Sequence, residues 1–147
     1  MELLIQDIQN RLRTEIPELQ TIDEDYGQLN KMFDNSDDAD IYPVLSPALF
    51  INVSDVAWSD LSCSRQRGIA TVVITLAIDC YDDTHMDQNQ RQKISERLAL
   101  ERRIHNALHG WKPSEATRLI RTSTRLYHLP HLWKAYETTY TCELIPQ

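Results

Sequence analysis

The sequence predicts an α+β protein with a mostly antiparallel sheet of about four to five strands and two main helices packed on one face. Two segments, 1–16 and 88–109, repeat apolar residues at helical spacing. Two others, 69–81 and 134–145, alternate with the period of two that is typical of strands. A length of 147 residues suits one domain, and we expect residues 1–147 to form it.

Charge and hydropathy narrow the classes of partner. The formal net charge is −7, from 22 acidic and 15 basic residues, and a field of this sign repels phosphate backbones. No apolar run approaches the roughly 18 residues needed to span a bilayer. The first residues carry acids inside their apolar pattern, which is not typical of a signal peptide. We therefore expect a cytosolic protein that binds neither nucleic acid nor membrane.

The first third of the chain begins with an amphipathic helix. Its apolar face consists of residues spaced by one, three and four: Leu4, Ile5, Ile8, Leu12 and Ile16. Pro17 should end it, because proline disfavours helical geometry at the preceding residue. A short strand is expected at Leu19–Asp23, followed by an irregular region. The acidic stretch Phe33–Asp40 misses the spacing of a calcium loop and is interpreted as a solvated loop.

The middle of the chain predicts two strands. Pro47–Val56 alternates apolar and polar residues, and Ala57–Gly68 is polar and turn-like. Ile69–Tyr81 gives the strongest strand pattern in the chain, with Ala70, Val72, Ile74, Leu76, Ile78 and Cys80 on one face. We expect an antiparallel pair joined by an extended loop of about a dozen residues.

A second helix is predicted from about Gln88 to His109. Ile94, Leu98, Ile104 and Leu108 recur at spacings that place them on one face. Gly110 is suited to end the helix, and Pro113 prevents its continuation. Two closing strands, Thr117–Tyr127 and Lys134–Ile145, follow, separated by a loop that contains Pro130.

Signatures of catalysis and metal binding are weak. His105 and His109 lie four residues apart, but Asn106 stands where a zinc protease has glutamate, and no third ligand is marked. Three glycines could hardly build a phosphate cradle, and no nucleophile elbow is present. Three cysteines form no disulfide framework, and Cys80 and Cys142 fit buried positions in strands. The sequence predicts no catalytic residue, cofactor or metal, and hence no enzyme.

Positive charge collects in two segments of this acidic chain. Arginine is favoured at interfaces because its guanidinium offers a fork of donors and a stacking plane. A tryptophan at the edge of an element can anchor such an interface. The residues predicted to contact a partner subunit are Arg65, Arg67, Arg118, Arg121, Arg125 and Trp133. A solvated strand surface is the alternative interpretation.

The order of elements also resembles a known family. The residues that carry the likeness are the helix LLIQDIQNRLRTEIPEL, the strands PALFINV and GIATVVITLAIDCYDD, the LHGW turn, and the closing pair RLIRTSTRLYHL and WKAYETTYTCEL. In this order they resemble the tail-terminator, or tail-completion (head–tail joining), proteins of tailed bacteriophages and prophages.

The resemblance implies a structural protein that assembles with copies of itself into a ring, typically of six. Such a ring caps the phage tail tube, stops its growth and presents a surface to the head–tail connector. It implies assembly in the host cytoplasm and a place in the virion tail. No individual functional residue carries over from the family.

Two other functions remain open at this point. The chain could be another head–tail connector or tube-associated phage protein, which would share its composition. It could also be a small ligand-binding domain or enzyme, whose residues converge from separate strands into one pocket.

Overall fold

The computed structural model describes residues 1–34, 44–81 and 88–145. Three α-helices, five strands and one 3-10 turn occupy these ranges. In chain order they are α1 (Glu2–Glu15), β1 (Thr21–Glu24), α2 (Gln28–Met32), β2 (Ala48–Ser62), β3 (Arg65–Asp79), α3 (Gln88–Leu108), β4 (Ile120–Leu129), the 3-10 turn (Pro130–Leu132) and β5 (Trp133–Leu144). Residues 35–40 of the predicted acidic loop Phe33–Asp40, and most of the loop before α3, lie outside the described residues.

The five strands form one sheet in the order β1-β2-β3-β5-β4. β1 runs parallel to β2, and the other three neighbouring pairs are antiparallel. The predicted α+β class, with a mostly antiparallel sheet, is therefore confirmed. β1 and β4 form the two edges of this sheet.

The larger core lies between the sheet and the two long helices. α1 contributes Leu4, Ile5, Ile8 and Leu12, the face that its spacing predicts. α3 contributes Ile104, Ala107 and Leu108. The side of β3 that faces the helices is the predicted face, with Ala70, Val72, Ile74 and Leu76 in the core. Ile8, Leu12 and Leu108 are completely buried, so both helices lie on one face of the sheet as expected.

A smaller core covers one end of the opposite face. It contains Val44, Ala48, Phe50, Ala77 and Trp133. The short helix α2, in a region that the sequence predicted to be irregular, packs Leu29 and Met32 against it. Five residues are too few to show a helical period, which is why the pattern did not reveal α2.

The region between the two middle strands was predicted wrongly. Ala57–Gly68 is not an extended loop: β2 continues to Ser62 and β3 begins at Arg65, so a two-residue turn at Cys63 and Ser64 joins them. A register shift between Val53 and Asp55 interrupts the pairing. Most side chains beyond this bulge are exposed, and apolar alternation disappears where neither face is buried.

The apolar face of α3 is only partly buried. Ile104 and Leu108 enter the core as predicted, whereas Ile94 is 43% exposed and Leu98 is 50% exposed. The face that these four residues were predicted to share is therefore buried only in the second half of the helix. Among the described residues, no helix combines the length and the apolar character needed to cross a bilayer.

The segment after α3 turns the chain into the last hairpin. Gly110 takes a left-handed conformation (φ 79°) directly after α3, as a helix-ending glycine should. Its N–H donates to Leu119 O at 2.7 Å, and Leu119 N donates to Trp111 O at 3.0 Å. β4 then begins at Ile120 rather than at Thr117. Pro130–Leu132 makes a 3-10 turn between β4 and β5.

Candidate interaction surface

β4 forms an open edge of the sheet. Within the described residues it pairs only with β5. All but two of its ten side chains, those of Tyr127 and Leu129, are exposed, and Leu126 is 54% exposed. An edge of this length presents unpaired backbone groups and side chains to any second chain. The exposed edge of β4 is therefore a candidate binding surface.

Arg125 lies on this edge, on the face opposite the long helices. Its Nη2 lies 3.5 Å from Glu137 Oε2 on β5, and its Cζ lies 4.8 Å from the centre of the Tyr127 ring. Burial and the Glu137 carboxylate raise the pKa of Tyr127, so this phenol stays protonated. The Arg125 side chain is 70% exposed. Its guanidinium is thus oriented by its neighbours and still open to a partner.

Arg121 links β4 to α3. Its Nη1 lies 3.8 Å from Glu101 Oε1, and its backbone N–H donates to His109 Nδ1 at 3.2 Å. An ion pair this long and partly exposed adds little stability, about 0–1 kcal/mol. Arg118 lies just before the strand and donates from Nη1 to the Gly110 carbonyl at 2.7 Å. The structure thus places Arg118, Arg121 and Arg125 along one edge.

An apolar strip lies beside Arg121, on the helix-facing side of the same edge. Leu98 of α3 and Leu126 of β4 line one shallow hollow, with Tyr136 at its floor and Arg121 at its rim. Ile94 lies one helical turn before Leu98 and is also exposed. Exposed apolar side chains ringed by charged ones are typical of protein–protein contact sites. We call Ile94, Leu98, Leu126 and the three arginines the basic edge.

Arg65 and Arg67 occupy a different place, at the start of β3 near the hairpin turn. Arg67 Nε lies 3.1 Å from Glu143 Oε1 on β5. The backbone N–H of Glu143 in turn donates to Thr117 Oγ1 at 2.8 Å. β5 therefore separates this arginine pair from the basic edge, although both occur near the same end of the sheet.

Trp133 does not lie on this surface. Its side chain is 8% exposed and belongs to the smaller core, with the Phe33 ring 5.7 Å away in an edge-on arrangement. A direct role in binding a partner stays a prediction for the five arginines. Trp133 instead packs in the smaller core, where its buried side chain stabilises the start of β5.

The two histidines of α3 stack on each other. Their ring centroids are 4.9 Å apart, and His105 Nδ1 lies 3.4 Å from Tyr140 Oη. Desolvation, together with Arg121 and His109, lowers the pKa of His105, and burial raises the pKa of Tyr140 to about 12. Over residues 1–34, 44–81 and 88–145, no group of three or more His, Cys, Asp or Glu side chains is placed to hold a metal ion.

The cysteines follow the predicted pattern in part. Cys142 is buried on β5, and burial raises its thiol pKa to about 11. Cys80 is only half-buried and follows β3 rather than lying within it. Cys63 is exposed at the hairpin turn.

Sequence reasoning missed the apolar members of the basic edge, Ile94, Leu98 and Leu126. A signal was present. Residues 91–103 contain seven charged side chains, too many for a helix half that is covered on more than a narrow face. Dense charge around a thin apolar stripe is typical of a helix that leaves part of that stripe exposed.

Comparison with known proteins gives a likeness of fold only. No protein-family model matches the chain, and no curated protein matches it. Among solved structures, it is similar to a chain from a structure described as "Virion of native gene transfer agent (GTA) particle". The match has a TM-score of 0.66 at 10% sequence identity and covers 98% of this chain and 95% of that chain. The two chains therefore share their fold from end to end.

Proposed function

We propose that this chain is a structural subunit of a virion, and specifically the subunit that forms a ring on the tail tube and joins it to the head connector. The observation that supports this most directly is the shared fold with a chain of a virion, which extends over nearly the whole length of both chains. The order of elements, which resembles the tail-terminator proteins, supports the more specific role.

This role requires complementary surfaces on the subunit and does not require a catalytic group. A ring forms when one surface of a subunit binds a different surface of the next, and rotation closes the series. The basic edge supplies one such surface: an open strand, a strip of exposed apolar residues and three arginines. Its internal ion pairs are long, so a partner carboxylate can compete for the same guanidinium groups.

Light scattering with absolute mass, over a wide range of concentrations, tests self-assembly. The same samples are then imaged by negative-stain electron microscopy. We expect a closed oligomer and ring-shaped particles with a central opening. A strict monomer at every concentration would contradict ring formation in solution.

A second experiment tests the place in the virion. The gene is deleted from the genome that encodes the particle, and the particles produced are imaged. We expect tails of irregular length that remain separate from heads, because nothing stops tube growth or offers a docking surface. Normal, head-joined tails without this chain would overturn the proposed function.

A further inference from the structure

The two chain segments that hold the edge strands carry opposite formal charge. Residues 1–34, which hold α1 and β1, contain eight acidic and three basic residues. Residues 88–129, which hold α3 and β4, contain three acidic and nine basic residues. The formal charges are thus −5 and +6 in a chain whose sheet has β1 at one edge and β4 at the other. The net charge of −7 for the whole chain does not show this asymmetry.

The acidic charge is concentrated at the end of β1. Asp23, Glu24 and Asp25 follow one another there, and within the described part of the chain none of them forms an ion pair. The Tyr26 hydroxyl donates to Glu24 Oε2, and Glu24 is the main cause of the raised pKa of Tyr26, with a smaller contribution from Asp23. We call Asp23, Glu24, Asp25 and Tyr26 the acidic edge.

Exposed apolar side chains accompany this edge as well. Tyr26 is 77% exposed, and Leu45, which lies beside β1, is 60% exposed. Thr21 of β1 donates to the Leu45 carbonyl at 3.0 Å, so Leu45 is held next to the strand. The acidic edge therefore resembles the basic edge in kind, with charge and apolar surface together, and opposes it in sign.

We propose that the occupant of the basic edge is the acidic edge of a second copy of this chain. Opposite charge favours correct orientation and fast encounter, and it penalises contact between two basic or two acidic edges. Because the two edges lie on opposite sides of the sheet, the contact is head-to-tail and repeats from copy to copy. This assignment rests on the proposed function, which it deepens by naming the surfaces that meet.

We assign the contact to side chains. The alternative, backbone pairing of β4 with β1 of the next copy, would continue the sheet from one subunit to the next. Two carbonyls of β1 already have partners: Ile22 O accepts from Gln9 Nε2 at 3.2 Å, and Glu24 O accepts from Gln28 Nε2 at 2.8 Å. A strand with occupied acceptors is a poor template for a further ladder. Association should consequently weaken as salt rises, since about 1 M salt shortens the screening length to about 3 Å.

Two charge-reversed variants test the assignment. One carries R121E and R125E, so that both of its edges are acidic. The other carries D23K and E24K, so that both of its edges are basic. We expect each variant alone to self-associate at least about tenfold more weakly than the wild type, because every head-to-tail contact brings like charges together.

Mixing the two variants gives the decisive result. In an equimolar mixture in which the two variants alternate, every contact joins an acidic edge of one variant to a basic edge of the other, so association should return to near the wild-type level. This recovery also shows that both variants are folded. Failure of the mixture to recover, with each variant showing native circular dichroism, would overturn the proposal.

Two matched controls separate charge from position. R121K with R125K keeps the charge of the basic edge and should associate like the wild type. D55K with D60K makes the same change of charge on the exposed part of β2, beyond the residues that pair with β1, and should also leave association unchanged. If D55K with D60K weakens association as much as D23K with E24K, net charge is responsible and the assignment is wrong.

Failure of this proposal can be told apart from failure of the proposed function. A wild type that forms rings whose stability is unaffected by either edge variant would overturn the edge assignment and leave the function standing. A wild type that stays monomeric would overturn the edge assignment too. In that case the deletion experiment on whole particles still decides the function independently.

Discussion

Gly68 shows how a single residue can have a role that its neighbours in sequence do not reveal. In the sequence it ends a polar, turn-like stretch. In the structure it lies within β3 opposite Trp58 of β2, and an added Cβ would lie 2.6 Å from Trp58 Cζ3. The exposed tryptophan ring therefore covers the space that a side chain would fill, an arrangement in which an aromatic residue compensates for a glycine in a sheet.

A double-mutant cycle tests this pairing. Gly68→Ala should reduce the free energy of unfolding by about 0.5–1 kcal/mol, because the methyl group displaces the ring and its cross-strand packing is lost. In a Trp58→Ala background the same change should be neutral or stabilising, since glycine in a strand is less favourable than alanine. Urea unfolding of the four proteins measures the coupling. Equal effects in both backgrounds would contradict the contact.

At the scale of elements, α1 and α3 have similar patterns and different surroundings. Apolar spacing shows that a helix has one hydrophobic face, but it does not show how far a sheet extends beneath that face. α1 has fourteen residues and buries its face, whereas α3 has 21 residues and buries mainly its second half. The remaining face of α3 is therefore exposed. Apolar spacing alone did not indicate where the change occurs, although the dense charge of residues 91–103 is consistent with it.

This division of α3 predicts two different effects of one kind of substitution. Leu108→Ala should reduce the free energy of unfolding by about 2–5 kcal/mol, because Leu108 is completely buried. Leu98→Ala should change it by less than about 0.5 kcal/mol, because half of Leu98 is already exposed, and yet it should weaken self-association. Chemical unfolding at low protein concentration and light scattering measure the two effects. Comparable destabilisation by both changes would show that Leu98 is a core residue.

The long hairpin illustrates a second limit of sequence patterns. β3 was predicted at Ile69–Tyr81 because one face of the strand is buried along most of that range and its residues alternate. The outer part of the hairpin has no buried face, and the bulge after Val53 shifts the phase of β2. Period-two alternation arises from unequal burial of two faces, so a strand exposed on both gives no such signal. The boundary of the strand then has to come from pairing, which only the structure shows.

At the scale of the whole molecule, part of the charge distribution could be predicted from the sequence. The arginines of β4 could be named because basic residues cluster there with no acid among them. Their placement along one edge, the pairing of Arg121 with Glu101 and the acidic residues on the opposite edge depend on the strand order. Long-range order of strands is not encoded in local periodicity, which explains why the residues were predictable and the two-sided surface was not.

The two cores lie on opposite faces of the same strands, and this predicts how the molecule unfolds. Leu49 and Phe50 are neighbours in β2, yet Leu49 enters the larger core and Phe50 the smaller one. A strand that contributes to both cores cannot leave one of them without leaving the other. We therefore expect residues 1–147 to unfold in one cooperative transition, as a single domain should.

Trp133 allows this expectation to be measured, because its side chain is buried in the smaller core. In a variant with Trp58→Phe and Trp111→Phe, fluorescence reports on Trp133, while far-ultraviolet circular dichroism reports on the whole sheet and both long helices. The two urea transitions should coincide in midpoint and slope, since a strand that leaves one core leaves both. A Trp133 transition at clearly lower urea would show that the smaller core opens by itself, and that the 147 residues form two cooperative units instead of one.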